Sequence, residues 1–325
     1  MMDSETYEKI NSEVRNGYTE RGSDVEHAVR ALESQDHEEK VRGACTLSYA
    51  ADSNPGAIAG YVEELASSLE EDSVYVRRNV VIALTRLAEL DVGFVEPLVG
   101  SPGFETVMLD PRPGVSLYGV SILNELSKED PLAGIPYQDV LFDSMETDHG
   151  PLKRMSLRVV RRSAHGEKMD VDRERIENVS KFLNEESRAK IFDACVVLAK
   201  FADRGHELPD LSHKLEPLIS SDDDFIRRKT IGGLDALAIN APRAVGGVID
   251  LLPKIVADRD ERVSQHALTL LISVSIRIPS HVGDRDGFRS VIENELRTCG
   301  DPELQSYMRQ ALDNLDVEEG TDGFW

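Results

Sequence analysis

Asp72-Ser73-Val74-Tyr75-Val76-Arg77-Arg78 opens the run that decides the fold: a polar turn, an apolar residue, a basic residue, then an apolar stripe at Val80, Ala83, Leu84 and Leu87. Counted from Val76 these stand at +4, +7, +8 and +11, one face of a 3.6-residue helix. The pattern returns at Asp222-Asp223-Asp224-Phe225-Ile226-Arg227-Arg228, with Thr230, Gly233, Leu234 and Leu237 as its stripe. Looser copies are Asp36-His37-Glu38-Glu39-Lys40-Val41-Arg42 and Asp258-Arg259-Asp260-Glu261-Arg262-Val263. Divergent ones begin at Val115, at Leu152, at Ala189 or Lys190, and at Leu304, the last carrying Met308, Ala311, Leu312 and Leu315.

Successive copies lie roughly 35 to 41 residues apart, room for two helices and two turns. A preceding helix fills the rest of each unit, as at Tyr61–Leu69 or Val245–Ile255, and Pro55, Pro131, Pro209, Pro242, Pro279 and Pro302 punctuate the joints. One helix pair cannot bury its apolar faces alone, so neighbours must stack into a continuous core. The expected architecture is all-α: a right-handed α-α superhelix of about eight helix pairs over residues 24–316. Residues 1–23 are expected to cap it with a helix from Thr6 to Val14, and residues 317–325 to form an acidic tail.

The Asp-x-x-x-Val-Arg turn, the Ala/Leu-rich second helix and the spacing resemble HEAT repeats, in particular the HEAT-like repeats related to phycobilin lyase subunits. The resemblance covers nearly the whole chain and is specific for the repeat class, not for a function. It implies that turn Asp and Arg form a ladder along the solenoid. Asp72 with Arg77 and Asp222 with Arg227 match that role, while Ser116 and Ser264 replace the Arg and should interrupt it. It also implies that the second helices line the inner surface.

Sixty carboxylates stand against 37 basic residues, 11 Lys and 26 Arg, for a net charge of −23. Acidic excess with few Lys resembles cytosolic proteins adapted to salt, because so large a charge makes the compact state repel itself when unscreened. The expected result is a melting temperature that climbs steeply between about 0.2 M and about 2 M KCl, where simple screening is already short-ranged. A flat profile would leave the composition without that explanation. The field repels phosphate backbones, so nucleic acid is not an expected partner. No run of eighteen apolar residues exists, and the acidic start Met1-Met2-Asp3-Ser4-Glu5 has no apolar signal region. With Cys45, Cys195 and Cys299 scattered as buried thiols, the expected compartment is the cytoplasm.

No chemistry-bearing constellation emerges, and neither a cofactor nor a metal is expected. HEAT-like hydroxylases hold two irons with four His-Glu pairs; this chain has two, His37-Glu38 and His206-Glu207, both at turns. There is no Gly-x-Ser-x-Gly, no Cys in an electropositive setting, and no Walker Lys near Gly232-Gly233 or Gly246-Gly247.

The local anomaly is basic. Between Lys153 and Arg175 stand eight basic residues and four acidic ones. Arg154, Arg158, Arg161 and Arg162 share one helical face opposite Leu152, Val159 and Val160. Arg78 and Arg86 of the second copy and Arg228 of the sixth fall on the same face. Such a row suits capture of carboxylate or phosphate groups; otherwise it is a solvated face paired with Glu125, Glu185 and Glu186. Phe324-Trp325, after the acidic spacer, form a candidate docking pair. The reading is a non-catalytic scaffold or adaptor that binds a partner protein or acidic peptide on its inner face. The alternatives are a subunit of a lyase-like or modifying enzyme whose chemistry depends on a second chain, and a signalling or taxis adaptor.

Overall fold

The computed structural model describes residues 2–21, 24–164 and 168–316. They form α-helices and short 3-10 turns, with no strand among them. Two compact units divide at Met169/Asp170.

The first unit opens with α1 (Ser4–Arg21), longer at both ends than the expected Thr6–Val14. Asp3 starts it early by accepting the Thr6 amide at 2.7 Å, an N-cap bond that holds the Asp3 carboxyl below its usual value. Four helix pairs follow: α2 (Val25–Leu32) with α3 (His37–Ser53), α4 (Val62–Ser67) with α5 (Val74–Leu90), α6 (Pro102–Met108) with α7 (Pro113–Glu129), and α8 (Gln138–Glu146) with α9 (Gly150–Ser163). Each second helix packs on its own first helix, and α3, α5, α7 and α9 lie side by side in that order.

The second unit has four more pairs: α10 (Arg173–Ser180) with α11 (Ile191–Asp203), α12 (Ser212–Ile219) with α13 (Asp224–Asn240), a broken first helix α14 (Pro242–Ile249) and α15 (Leu252–Ile255) with α16 (Glu261–Arg277), and α17 (Arg285–Thr298) with α18 (Pro302–Asp316). Here α11, α13, α16 and α18 form the ordered second layer. Each unit is thus a solenoid-like stack of helix pairs.

The recurring acidic turn has a local cause. Asp36, Asp223 and Asp260 are helix N-caps, accepting the amides of Glu38, Phe225 and Val263 at 2.8, 2.9 and 3.0 Å; such a cap stabilises a helix by about 1 kcal/mol. The apolar stripes then meet in the core. Val80, Ala83, Leu84 and Leu87 have no exposed surface, nor do Leu234 and Leu237. In the fifth copy the register settles on Lys190, since Ala194, Val197, Leu198 and Phe201 are all buried.

Two expectations need correction. The ladder does not pair Asp72 with Arg77 or Asp222 with Arg227; each Arg reaches forward to the next turn. Arg77 bonds Asp110 at 2.5 Å, and Arg227 holds Asp258 with two bonds of 2.7 and 3.0 Å. Stacking brings the following turn alongside, so Arg77 and Arg227 reach acids 33 and 31 positions on. Ser264, too short to continue, donates instead to the Val256 carbonyl at 2.5 Å.

The second correction is the register of the first copy. Counting from the caps Asp36 and Ser73, Lys40 corresponds to Arg77, and it makes the matching forward bond, to Glu71 at 2.5 Å. Val41 and Arg42 therefore stand one position beyond Arg77 and more, off the core stripe.

Candidate protein-binding face

Five, nine and thirteen residues after the cap, each second helix presents the face turned away from its first helix. In α5 these residues are Arg78, Ile82 and Arg86; in α7 Leu117, Ser121 and Glu125; in α9 Arg154, Arg158 and Arg162. Arg161 stands beside the last. The face therefore carries Ile82 and Leu117, half-buried, between two groups of arginines.

The arginines are not equivalent. Arg162 donates to the Asn124 carbonyl and Oδ1 at 2.8 and 2.6 Å, so it ties α9 to α7 rather than facing a partner. Arg86 is held by Asp52 at 2.6 Å and Glu89 at 2.9 Å, bonds that raise its already high pKa. Arg78 donates to the Tyr7 hydroxyl at 3.4 Å and sits beneath α1. Glu125 pairs with Lys128 and accepts from Asn124. Of the residues singled out in the first unit, Arg154 is the exposed one, and Arg158 and Arg161 stand half-buried beside it with contacts of their own.

Arg228 belongs to the second unit, where it is paired with Asp224 on its own helix at 2.7 Å. The corresponding positions there are mixed: Phe192, Val196 and Lys200 on α11, Arg228, Gly232 and Ala236 on α13, and Gln265, Thr269 and Ser273 on α16. Phe192 of α11 lies near Gly232 of α13, and the Lys229 ammonium stands 5.8 Å from the Phe192 ring and 5.4 Å from the Phe225 ring. Sequence reasoning missed this lysine, although its place beside Phe225 was visible. Phe324 and Trp325 lie outside the described residues.

No protein-family model and no curated protein matches the chain. Among solved structures it is similar to an engineered protein, with 20% identity over 97% of this chain and 86% of that one and a TM-score of 0.67. A second engineered protein is 17% identical over 91% of this chain and 100% of its own, with a TM-score of 0.41, too loose a likeness to add to the first. The first shows the fold alone.

Elsewhere, a recess of about 500 Å³ is lined by Met2, His37, Asp72, Ser73, Tyr75 and Arg112. His37 Nε2 and Ser73 Oγ are 3.5 Å apart there, the outer limit of a hydrogen bond. Cys45 and Cys195 are buried, and burial pushes both thiols up to about 12. Cys299 departs from the buried expectation: it follows the last turn of α17 and is only partly covered. Among the described residues no helix is long and apolar enough to cross a membrane, and no cluster of three or more His, Cys, Asp or Glu could hold a metal.

Proposed function

We propose that this chain is a non-catalytic scaffold that binds an acidic peptide or protein surface on the second-helix face of its first unit. The observation that carries the reading is the row Arg154, Arg158 and Arg161 on α9, a local basic surface in a chain of net charge −23. Guanidinium groups bind carboxylates in paired bonds, and the overall negative field makes such a row selective against like-charged approach elsewhere. A cytoplasmic, salt-adapted setting fits the composition.

The double reversal Arg158→Glu/Arg161→Glu should weaken capture of the main partner, in pull-downs read by mass spectrometry, by about 30-fold or more. Both residues lie off the apolar stripe, so helical signal and melting temperature should change by no more than the about 0–1 kcal/mol of a surface pair. Arg297→Glu, on the exposed last turn of α17, is the control. Equal loss in both variants would mean general charge. Unfolding of the double variant would make these arginines part of the inter-helix lattice.

A further inference from the structure

On α3 the same face carries Val41, Cys45 and Tyr49, five, nine and thirteen residues after Asp36, and α1 lies over it. Tyr49 donates its hydroxyl to Asn11 at 3.1 Å, and Arg42 pairs with Glu13 at 2.8 Å. Cys45, between these two contacts along the helix, has no exposed surface. α1 also reaches α5: the Tyr7 ring stacks on Tyr75 with centroids 4.1 Å apart, and its hydroxyl accepts from Asn79 at 3.2 Å. This is an amphipathic helix seated in a groove by one aromatic anchor, one aliphatic anchor and a carboxylate on an arginine.

The seating is narrow. Along the side chains described for α1, Tyr7 and Ile10 are the buried ones, while Glu5, Glu8, Glu13 and Arg15 are exposed. With two buried side chains, α1 opens more readily than the layer beneath it, where α5 and α7 each bury a full stripe.

We infer that α1 is a docked arm sharing its seat with a partner. The seat of Val41, Cys45, Tyr49, Tyr75 and Arg78 takes an acidic amphipathic helix bearing an aromatic residue three positions before an aliphatic one, and α1 leaves when that helix enters. The inference deepens the scaffold reading and rests on it: α1 displays the chemistry that the face accepts, and it covers Arg78 until displaced.

Cys45 reports the seat and Cys195, buried in the second unit, reports unrelated opening. In the full-length chain, Tyr7→Ala/Ile10→Ala should let a soluble disulfide reagent label Cys45 at least about tenfold faster than in the wild type. Cys195 labelling and amide exchange in α5 and α7 should not change. A synthetic peptide of residues 2–21 added to this variant should restore protection of Cys45 with increasing dose, and the same peptide with Tyr7→Ala should not. Unchanged Cys45 labelling, exchange spreading into α5 and α7, or a peptide that does not protect would each overturn the inference. None of these outcomes depends on Arg158 or Arg161, so a failure here leaves the basic-face reading standing. Loss of that reading with the peptide still protective would remove only the partner.

Discussion

Replacing Asp258 by Ala should destabilise the second unit by about 3–5 kcal/mol, the cost of leaving a buried charge without its partner. Arg227 is only 5% exposed, and its three donor nitrogens are all engaged: two on Asp258, one on the Ser221 carbonyl at 2.7 Å. Asp258 in turn accepts the Asp260 amide at 2.7 Å, so both ends of the pair are tied to turns of successive copies. Truncating the carboxylate strands the guanidinium. Replacing both residues, Arg227→Met with Asp258→Leu, should recover most of the loss, since no orphan charge remains. Denaturant unfolding, with Cys195 labelling to mark the second unit, measures both; a loss below about 1 kcal/mol for Asp258→Ala would show that the pair behaves as a surface pair. The corresponding pair in the first unit is less complete, because Arg77 Nε has no hydrogen-bond partner among the described residues.

The pH dependence follows from the same geometry. Burial by itself raises the Asp258 carboxyl, but the bonds from Arg227 and the Asp260 amide outweigh it and hold the group below its ordinary 3.8. A depressed carboxylate contributes its full stabilisation above the unfolded value and loses it as pH falls through the folded one. The stability difference between wild type and Asp258→Ala should therefore be constant at neutral pH and shrink once pH drops below about 4.

Two neighbouring glycines of α13 should respond to alanine with opposite sign. A Cβ on Gly233 would stand 2.6 Å from Cys195 Cβ and 2.8 Å from its sulfur, so α13 would have to back away from α11. Gly233→Ala should cost about 1–3 kcal/mol, and Gly233→Val more. A Cβ on Gly232 would meet only the Phe192 ring at 3.7 Å, an ordinary contact. Gly232→Ala should stabilise by about 0.5–1 kcal/mol, because a helix-interior glycine is replaced by the best helix former. Melting curves of the two variants test the pair; a stabilising Gly233→Ala would mean that the helices are not in contact there.

The helix pairs were legible because stripes at helical spacing recur, with capping acids at Asp36, Asp223 and Asp260 and prolines at several joints. Copies with a clear turn, at Val76, Ile226 and Val263, read in register. The fifth was ambiguous by one because Ser187-Arg188-Ala189-Lys190 lacks the acidic turn and the apolar-Arg pair that mark the copies at Val76 and Ile226. The first copy departs from the turn pattern for a different reason: its apolar-Arg pair, Val41-Arg42, lies two positions beyond the place of Val76-Arg77 counted from the caps. Val41 is apolar because α1 covers it, and an apolar residue buried by a distant segment looks the same in sequence as one buried by its own repeat.

The same limit governs the arginines. Helical spacing places Arg154, Arg158, Arg161 and Arg162 on one side of α9, but it cannot say that Arg162 turns to Asn124 or that Tyr7 comes to rest beside Arg78. Periodicity, caps and breakers are local properties, so the sequence by itself determined the helical class, the number of pairs and the core stripe. The forward reach of Arg77 and Arg227, the close approach at Gly233 and the cover over Cys45 join residues about thirty or more positions apart. Only the tertiary structure decided those, because a side chain's partner depends on which neighbour the stacking brings within bonding distance.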